Sequence, residues 1–274
     1  MNENLNNRQS GILYKLVENT GRGSVRGIEE LGYVFMLFLE SIYWLFAGKA
    51  LNQPVKIPSV FKETMAIGFR AIPIVAILSF AVGVMLAIQS IATLRVVGAE
   101  SMVVMGIALS VTREFSPLIV GILVAGRSGS AIAARIGTMR ESQEIDALRV
   151  IGIDPVRFLA SPLLAAMLIA VPSLTILGDF MGLFGGAIFT SSELDMTLMT
   201  YMERTLDSLY VDDIRQGLIK SAVFATIIVL IGAANGFQVH GGAEGIGRAT
   251  TRAVVLSISF IVLADMIFTY FMNR

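Results

Sequence analysis

The sequence predicts an all-α polytopic membrane protein, because charge is scarce, is missing from long stretches, and those stretches are bilayer-sized. Of 274 residues, 55% are hydrophobic and 15% charged, with a mean hydropathy of +0.74. Soluble domains carry roughly 25% charged residues. No charge occurs from Ala71 to Leu94, from Phe158 to Gly178, or from Ser221 to Val239. Each run reaches or approaches the ~20 apolar residues of a spanning helix. Hydrocarbon offers backbone N–H and C=O groups no partner, so each run satisfies them internally as a helix. The net charge of zero gives no field for nucleic acid. The absence of cysteine excludes disulfides, thiolate metal sites and cysteine nucleophiles, and no metal site is expected. The first ten residues are polar, so no cleaved signal peptide is expected.

Residues 1 to about 25 read as a loose cytoplasmic tail. The run from Ile28 to Phe46 is rich in Leu, Phe and Tyr, holds Trp44, is interrupted by Glu40 and ends at Gly48-Lys49. It reads as an amphipathic helix in the membrane interface, with a tilted sixth span as the alternative. Asn52 to Ser59, with Pro54 and Pro58, reads as a loop. Five spans follow. The first, about Thr64 to Leu94, carries Ser79, Gly83 and Ala87 at four-residue spacing, a face that lets another helix approach closely. The second, about Ser101 to Gly126, has Arg113 and Glu114 near its middle. A charged segment, Arg127 to Arg157, separates it from the third, about Phe158 to Thr190, where Gly178, Gly182 and Gly186 repeat the small-residue spacing. Residues 191–212 are polar and acidic, with helical spacing around Met196 to Leu206. The fourth span runs from about Ile214 to Val239, and 240–252 form a Gly- and Arg-containing loop. The last span is about Ala253 to Met272. The chain thus divides into a tail with its interfacial helix, 1–63, and a five-helix membrane domain, 64–274.

Orientation follows the Lys and Arg of short loops. Arg127, Arg135, Arg140, Arg149 and Arg157 follow span two, and Arg248 and Arg252 follow span four. Between spans three and four only Arg204 stands among five acids: Glu193, Asp195, Glu203, Asp207 and Asp212. The arginine-rich segments and the N-terminus are therefore expected in the cytoplasm and the acidic segment outside.

Arg113 and Glu114 are the first candidates for function. A charge at a helix centre costs about 2.5–3.5 kcal/mol on insertion scales, so each needs a partner or water. Neighbours on a helix point about 100° apart, so these two do not simply neutralise one another. Pro117 follows, and its missing N–H disturbs the bond to the Arg113 carbonyl, so a kink with a polar break is expected. The alternative is a structural ion-pair lock. Asp265 stands alone among apolar residues, and Lys220 is either its partner or a snorkelling side chain. Asp179, bracketed by Gly178 and Gly182, is expected at a helix-packing interface.

The segment from Gly126 to Pro155 is too charged to span and too regular for a slack linker. Thr138 or Ser142 is expected to cap a short helix whose apolar face holds Ile145, Leu148 and Ile151. Such a helix either docks a partner or packs on its own bundle. Gly126-Arg-Ser-Gly129 imitates the nucleophile motif of intramembrane serine proteases, with His240 as the one histidine. A serine nucleophile needs a base within hydrogen-bond reach, and Ser128 opens a charged segment while His240 lies in a distant glycine-rich loop. Asp179 and Asp265 as an aspartyl pair are equally weak. No catalytic residue is assigned. No G-x-x-x-x-G-K-[ST] occurs, so the chain has no Walker A loop for ATP. Any ATP-driven work belongs to another subunit.

Thr112-Arg-Glu-Phe-Ser-Pro-Leu-Ile, Val124-Ala-Gly-Arg-Ser-Gly-Ser-Ala-Ile-Ala-Ala-Arg-Ile-Gly-Thr-Met-Arg and Ile145-Asp-Ala-Leu together resemble the MlaE/YrbE family. Gly247-Arg-Ala-Thr-Thr-Arg-Ala-Val-Val and Leu218-Ile-Lys-Ser match as well, and the resemblance covers about Ile57 to the C-terminus. These are permease subunits of ABC transporters that work with MCE-domain proteins. The resemblance implies a homodimer in a bacterial inner membrane or chloroplast inner envelope, with an interfacial helix and five spans. It implies two cytoplasmic ATPase subunits that use ATP, a periplasmic MCE protein ring, and phospholipid cargo in a cavity at the dimer interface, and it leaves room for a small cytoplasmic accessory protein. This chain itself would bind no cofactor. By position, Leu86, Gln89, Thr93 and Leu94 match the cavity lining, and Arg113, Glu114, Lys220, Arg248 and Asp265 match polar positions linked to transport. Arg127, Arg135, Arg140, Glu141, Glu144, Asp146 and Leu148 fall in the coupling region, where Arg135 departs from the acid of many members. Lys220 is placed to meet a lipid phosphate as a point charge. The same architecture could serve sterols or other hydrophobic cargo, and a passive channel or secondary transporter is the competing class.

Overall fold

The computed structural model describes Val25 and residues 27–48 and 55–272. Most of the expected tail and residues 52–54 of the expected loop lie outside them. Among the described residues, six helices are long and apolar enough to cross a membrane: Gly27–Ala47, Ile57–Val96, Glu100–Glu141, Val156–Glu193, Val211–Phe237 and Gly242–Met272. The protein is an all-α polytopic membrane protein. Its arginine-bearing end holds the starts of the fourth and sixth of these helices and the end of the third.

Helix α1 (Gly27–Ala47) is long enough to span, yet its contacts run along one end of the bundle. Glu30 pairs with Arg252 at 2.6 Å, and the Arg157 guanidinium lies 5.4 Å over the Trp44 ring. Fourteen residues separate Glu30 from Trp44, about 21 Å of helix, but both partners sit near the arginine-bearing ends of their helices. That course suits an interfacial helix.

Helix α2 (Ile57–Gly68) begins inside the expected loop, because Pro58 occupies its first turn, where no N–H is needed. A 3₁₀ turn, Phe69–Ala71, leads into α3 (Ile72–Val96), which again carries a proline in its first turn. After a second 3₁₀ turn come α4 (Val103–Ser110), a π turn (Val111–Phe115), α5 (Ser116–Val124), a second π turn (Ala125–Gly129) and α6 (Ser130–Glu141). These form one rod from Glu100 to Glu141. The charged segment therefore starts as helix and not as loop. Ile132, Ala133, Ile136 and Gly137 keep helical spacing and are buried, so the helix stays packed on its neighbours through the charged segment. There Gly232 and Gly236 bring the backbone of a later helix against Gly129, Ile132 and Ile136.

Helix α7 (Glu144–Val150) follows a reversal at Gln143, whose φ of 60° is left-handed. Thr138 and Ser142 do not cap it: the Ser142 hydroxyl bonds the Thr138 carbonyl and Glu144. Ile145 is buried and Leu148 half-buried, but Ile151 is exposed. A π turn at Val156–Ala160 opens α8 (Ser161–Glu193). Helix α9 (Leu198–Ser208) is capped by Thr197, whose hydroxyl accepts from the Thr200 N–H at 3.1 Å. Helices α10 (Val211–Phe237) and α11 (Gly242–Met272) complete the chain.

The two small-residue stripes meet each other. A Cβ on Gly83 would lie 1.9 Å from the Gly182 carbonyl oxygen, and one on Gly185 2.3 Å from that of Phe80. The α3 and α8 backbones touch, so no side chain fits between them. Gly178 leaves room for the Ser116 and Ser79 hydroxyls, and Asp179, 9% exposed, is buried beside them as expected.

Candidate functional site

The polar centre grows from the first π turn. The Ser116 N–H bonds the Val111 carbonyl, five residues back. In that register the donor due to Thr112 is Pro117, which has none. Gly217 of α10 fills the gap: a Cβ there would stand 2.4 Å from the Thr112 carbonyl oxygen. The expected kink is thus a widened turn that one glycine approaches closely, and π turns of this kind often mark functional positions.

The same turn sends its two charges to different places on α10. The Arg113 Nε donates to Asp213 Oδ1 at 2.8 Å. Asp213 Oδ2 accepts the Tyr210 N–H at 2.8 Å, closing the first turn of α10. Glu114 pairs with Lys220, seven residues further along the same face. The Lys220 ammonium also reaches Asp265 of α11 at 3.0 Å and Thr269 at 2.9 Å. The Thr269 hydroxyl in turn donates to Glu114 at 3.0 Å. The ammonium donates hydrogen bonds to Glu114 and Thr269 and forms an ion pair with Asp265, so it ties together groups from two other helices. The network joins spans two, four and five. Asp265 stands seven residues, about 10 Å, before the end of α11, so the network lies in the half of the bundle away from the arginines.

Glu114, Lys220 and Asp265 are therefore brought together, while Arg113 on the same turn pairs with Asp213 instead. Asp213 and Thr269 join them unforeseen, although both left signals. Asp213 is an acid in the first turn of a helix, where the macrodipole favours it, and Thr269 lies one turn beyond Asp265 on the same face. Lys220 is 1% exposed, so it faces its own network and not open space where a phosphate would sit. Arg248 stays apart. It is exposed, pairs with Glu244 at 3.5 Å, and stands seventeen residues, about 25 Å, from Asp265 along α11.

Gln89 and Thr93 face outward from the single chain, while Leu86 and Leu94 turn in against Ala87, Ile91, Val103 and Ile107. Around α7, Arg140 pairs with Asp146 at 2.7 Å, and Arg149 approaches the same oxygen at 3.6 Å. Arg135 pairs with Glu63 of α2 at 2.7 Å. Glu141 and Glu144 are exposed beside them. Arg127 lies thirteen residues, about 20 Å, from Arg140 along the rod and does not join that patch. Ser128 is buried in the second π turn while His240 is exposed, and among the described residues no hydrogen bond joins them.

The family described as Permease MlaE matches residues 60–271. A probable ABC transporter permease protein of Rickettsia prowazekii is 34% identical over 258 residues, 94% of this chain and 98% of that protein. The intermembrane phospholipid transport system permease protein MlaE of Haemophilus influenzae is 30% identical over 218 residues, 78% of this chain and 83% of the other. The chloroplast protein trigalactosyldiacylglycerol 1 of Arabidopsis thaliana is 35% identical over 204 residues, 74% of this chain and 58% of its own length.

Proposed function

The chain belongs to the MlaE permease family and is an ABC transporter permease, and from that premise we propose that it moves phospholipid between the inner membrane and a periplasmic MCE protein. In this reading it works as a homodimer with its N-terminus in the cytoplasm, and two separate ATPase subunits supply the energy. Gln89 and Thr93, outward on one chain, face the second copy across the lipid cavity.

The observation that carries the reading is the ion network of Glu114, Lys220 and Asp265, fixed to a rod that continues to the arginine-bearing end. From Glu114 to Glu141 is twenty-seven residues, about 40 Å of unbroken helical path. A push on α7 by an ATPase reaches the network along that rod, and the π turn is where its register can change. A charge network of three spans has two arrangements available, closed on itself or opened toward a head group. In the open one, Lys220 and Arg113 would offer positive charge to a phosphate, while apolar helix faces take the acyl chains. The cost of leaving buried ions unpaired keeps the network closed when no cargo or ATP drives it.

Tagged protein purified from its native membrane tests this directly. Mass spectrometry of bound proteins and lipids is expected to recover an ATPase, an MCE protein and phospholipid. Recovery of sterol or another apolar compound in place of phospholipid replaces the cargo, and recovery of neither protein defeats the proposal.

A further inference from the structure

A second polar feature lies beyond the ion network, at the end of the bundle opposite Arg135, Arg140 and Arg248. A cleft of about 360 Å³ opens between α9 and the start of the second span. Arg204, Asp207 and Ser208 line one side, and Ser101, Met102 and Met105 the other. Arg204 is the one basic residue of the segment between α8 and α10. It stands three residues before Asp207, a spacing at which opposite charges on a helix commonly pair, as Asp212 and Arg215 do here at 2.9 Å. Arg204 and Asp207 do not pair, and among the described residues neither has an ion-pair partner. Both charges line the one cleft.

The rest of the cleft is amphipathic. Met102 and Met105 are 55% and 41% exposed, three residues apart where the second span begins. They offer an apolar track running from the cleft toward the hydrocarbon. Around α9, Tyr201 and Thr205 are buried against the bundle, while Leu198, Met202 and Leu206 form an exposed apolar sector beside them. The charged residues Glu203, Arg204 and Asp207 occupy the remaining side. A helix with one sector on protein, one apolar and one charged lies along a membrane surface at head-group depth.

We propose that this cleft binds a zwitterionic phospholipid of the phosphoethanolamine class in the leaflet at that end. Arg204 takes the phosphate through its planar fork of donors, Asp207 takes the primary ammonium, and an acyl chain follows Met102 and Met105. An anionic lipid satisfies Arg204 but leaves Asp207 facing a like charge or nothing. A choline lipid has no N–H to give Asp207. The site thus selects by matching both charges, and it stands whether or not the transport reading holds.

The full chain in mixed micelles with equal phosphatidylethanolamine, phosphatidylcholine and phosphatidylglycerol tests this by native mass spectrometry. Wild-type protein is expected to retain phosphatidylethanolamine preferentially. Arg204→Gln is expected to weaken that retention about tenfold, the scale of one charge-assisted hydrogen bond. Asp207→Asn is expected to remove the preference over phosphatidylglycerol, and the exchanged pair Arg204→Asp with Asp207→Arg to recover part of it. Both side chains are exposed, so thermal unfolding should match wild type and confirm that the fold is kept. A wild-type lipid profile in the single variants overturns the proposal. So does displacement by soluble glycerophosphoethanolamine at equal concentration, which would make the head group alone the ligand. Unchanged lipid with loss of a co-purifying periplasmic protein would make the cleft a protein-docking site instead.

Discussion

Replacing Lys220 with Met removes the one cation shared by Glu114 and Asp265 while keeping the length of the side chain. Lys220 is 1% exposed, so its removal leaves two carboxyl groups facing each other without the ammonium between them. Breaking a buried ion pair by deleting one partner costs about 3–5 kcal/mol. For a chain of this size each kcal/mol lowers the melting temperature by roughly 2–4 °C, so Lys220→Met should fall by about 6–20 °C. The partner carboxyls decide whether the mechanism is right. Adding Asp265→Asn, or Glu114→Gln, to Lys220→Met removes one stranded charge and should return at least about 1–2 kcal/mol of the loss, the scale of a desolvated unpaired group. Thermal unfolding of the detergent-solubilised proteins, with the double-mutant cycle completed by the single carboxyl variants, measures it. A Lys220→Met protein as stable as wild type, or a double variant no better than the single one, refutes the network as described.

Three further outcomes follow from contacts elsewhere. Gly83→Ala places a methyl 1.9 Å from the Gly182 carbonyl oxygen, so α3 and α8 must separate; a loss of at least about 1–3 kcal/mol is expected from overpacking alone, read by thermal unfolding. Asp213→Ala takes one Arg113 partner and the bond to the Tyr210 N–H together; a loss of about 1–3 kcal/mol is expected, with faster hydrogen exchange in the first turn of α10. Ile145→Ala empties a fully buried site on α7; a local loss of about 2–5 kcal/mol should appear as faster exchange over residues 142–152 and weaker capture of the ATPase.

The spans were legible because hydrocarbon leaves the backbone one choice, and charge-free runs mark where that choice is forced. The Ser79–Gly83–Ala87 and Gly178–Gly182 stripes were legible for a similar reason: small residues at four-residue spacing have one evident use, although only the structure pairs them with each other. Element ends were harder. Pro58 looks like loop punctuation, but proline in a first helical turn reads the same way. Arg127 to Glu141 looks too charged for the helix of a span, and the helix continues there because its buried face of Ile132, Ala133 and Ile136 outlasts the bilayer. In the network, the isolation of Arg113, Glu114 and Asp265 was visible along the chain. Their partners were not all visible, since pairing between α10 and α11 depends on helix rotation, which a single sequence leaves open. Arg248 and Arg127 match the family's pattern by position but stand about 25 Å and 20 Å from the groups they were placed with.

The proposed role, phospholipid carriage driven by a separate subunit, makes a direct demand on transport. The direct measurement is transfer of a labelled phospholipid from proteoliposomes holding this chain, with its ATPase, to the MCE protein. Transfer that requires ATP, requires all three proteins and falls sharply in Lys220→Met at a temperature where that variant remains folded is the expected result. Transfer by the chain alone without ATP, or undiminished transfer by folded Lys220→Met, would rule this role out.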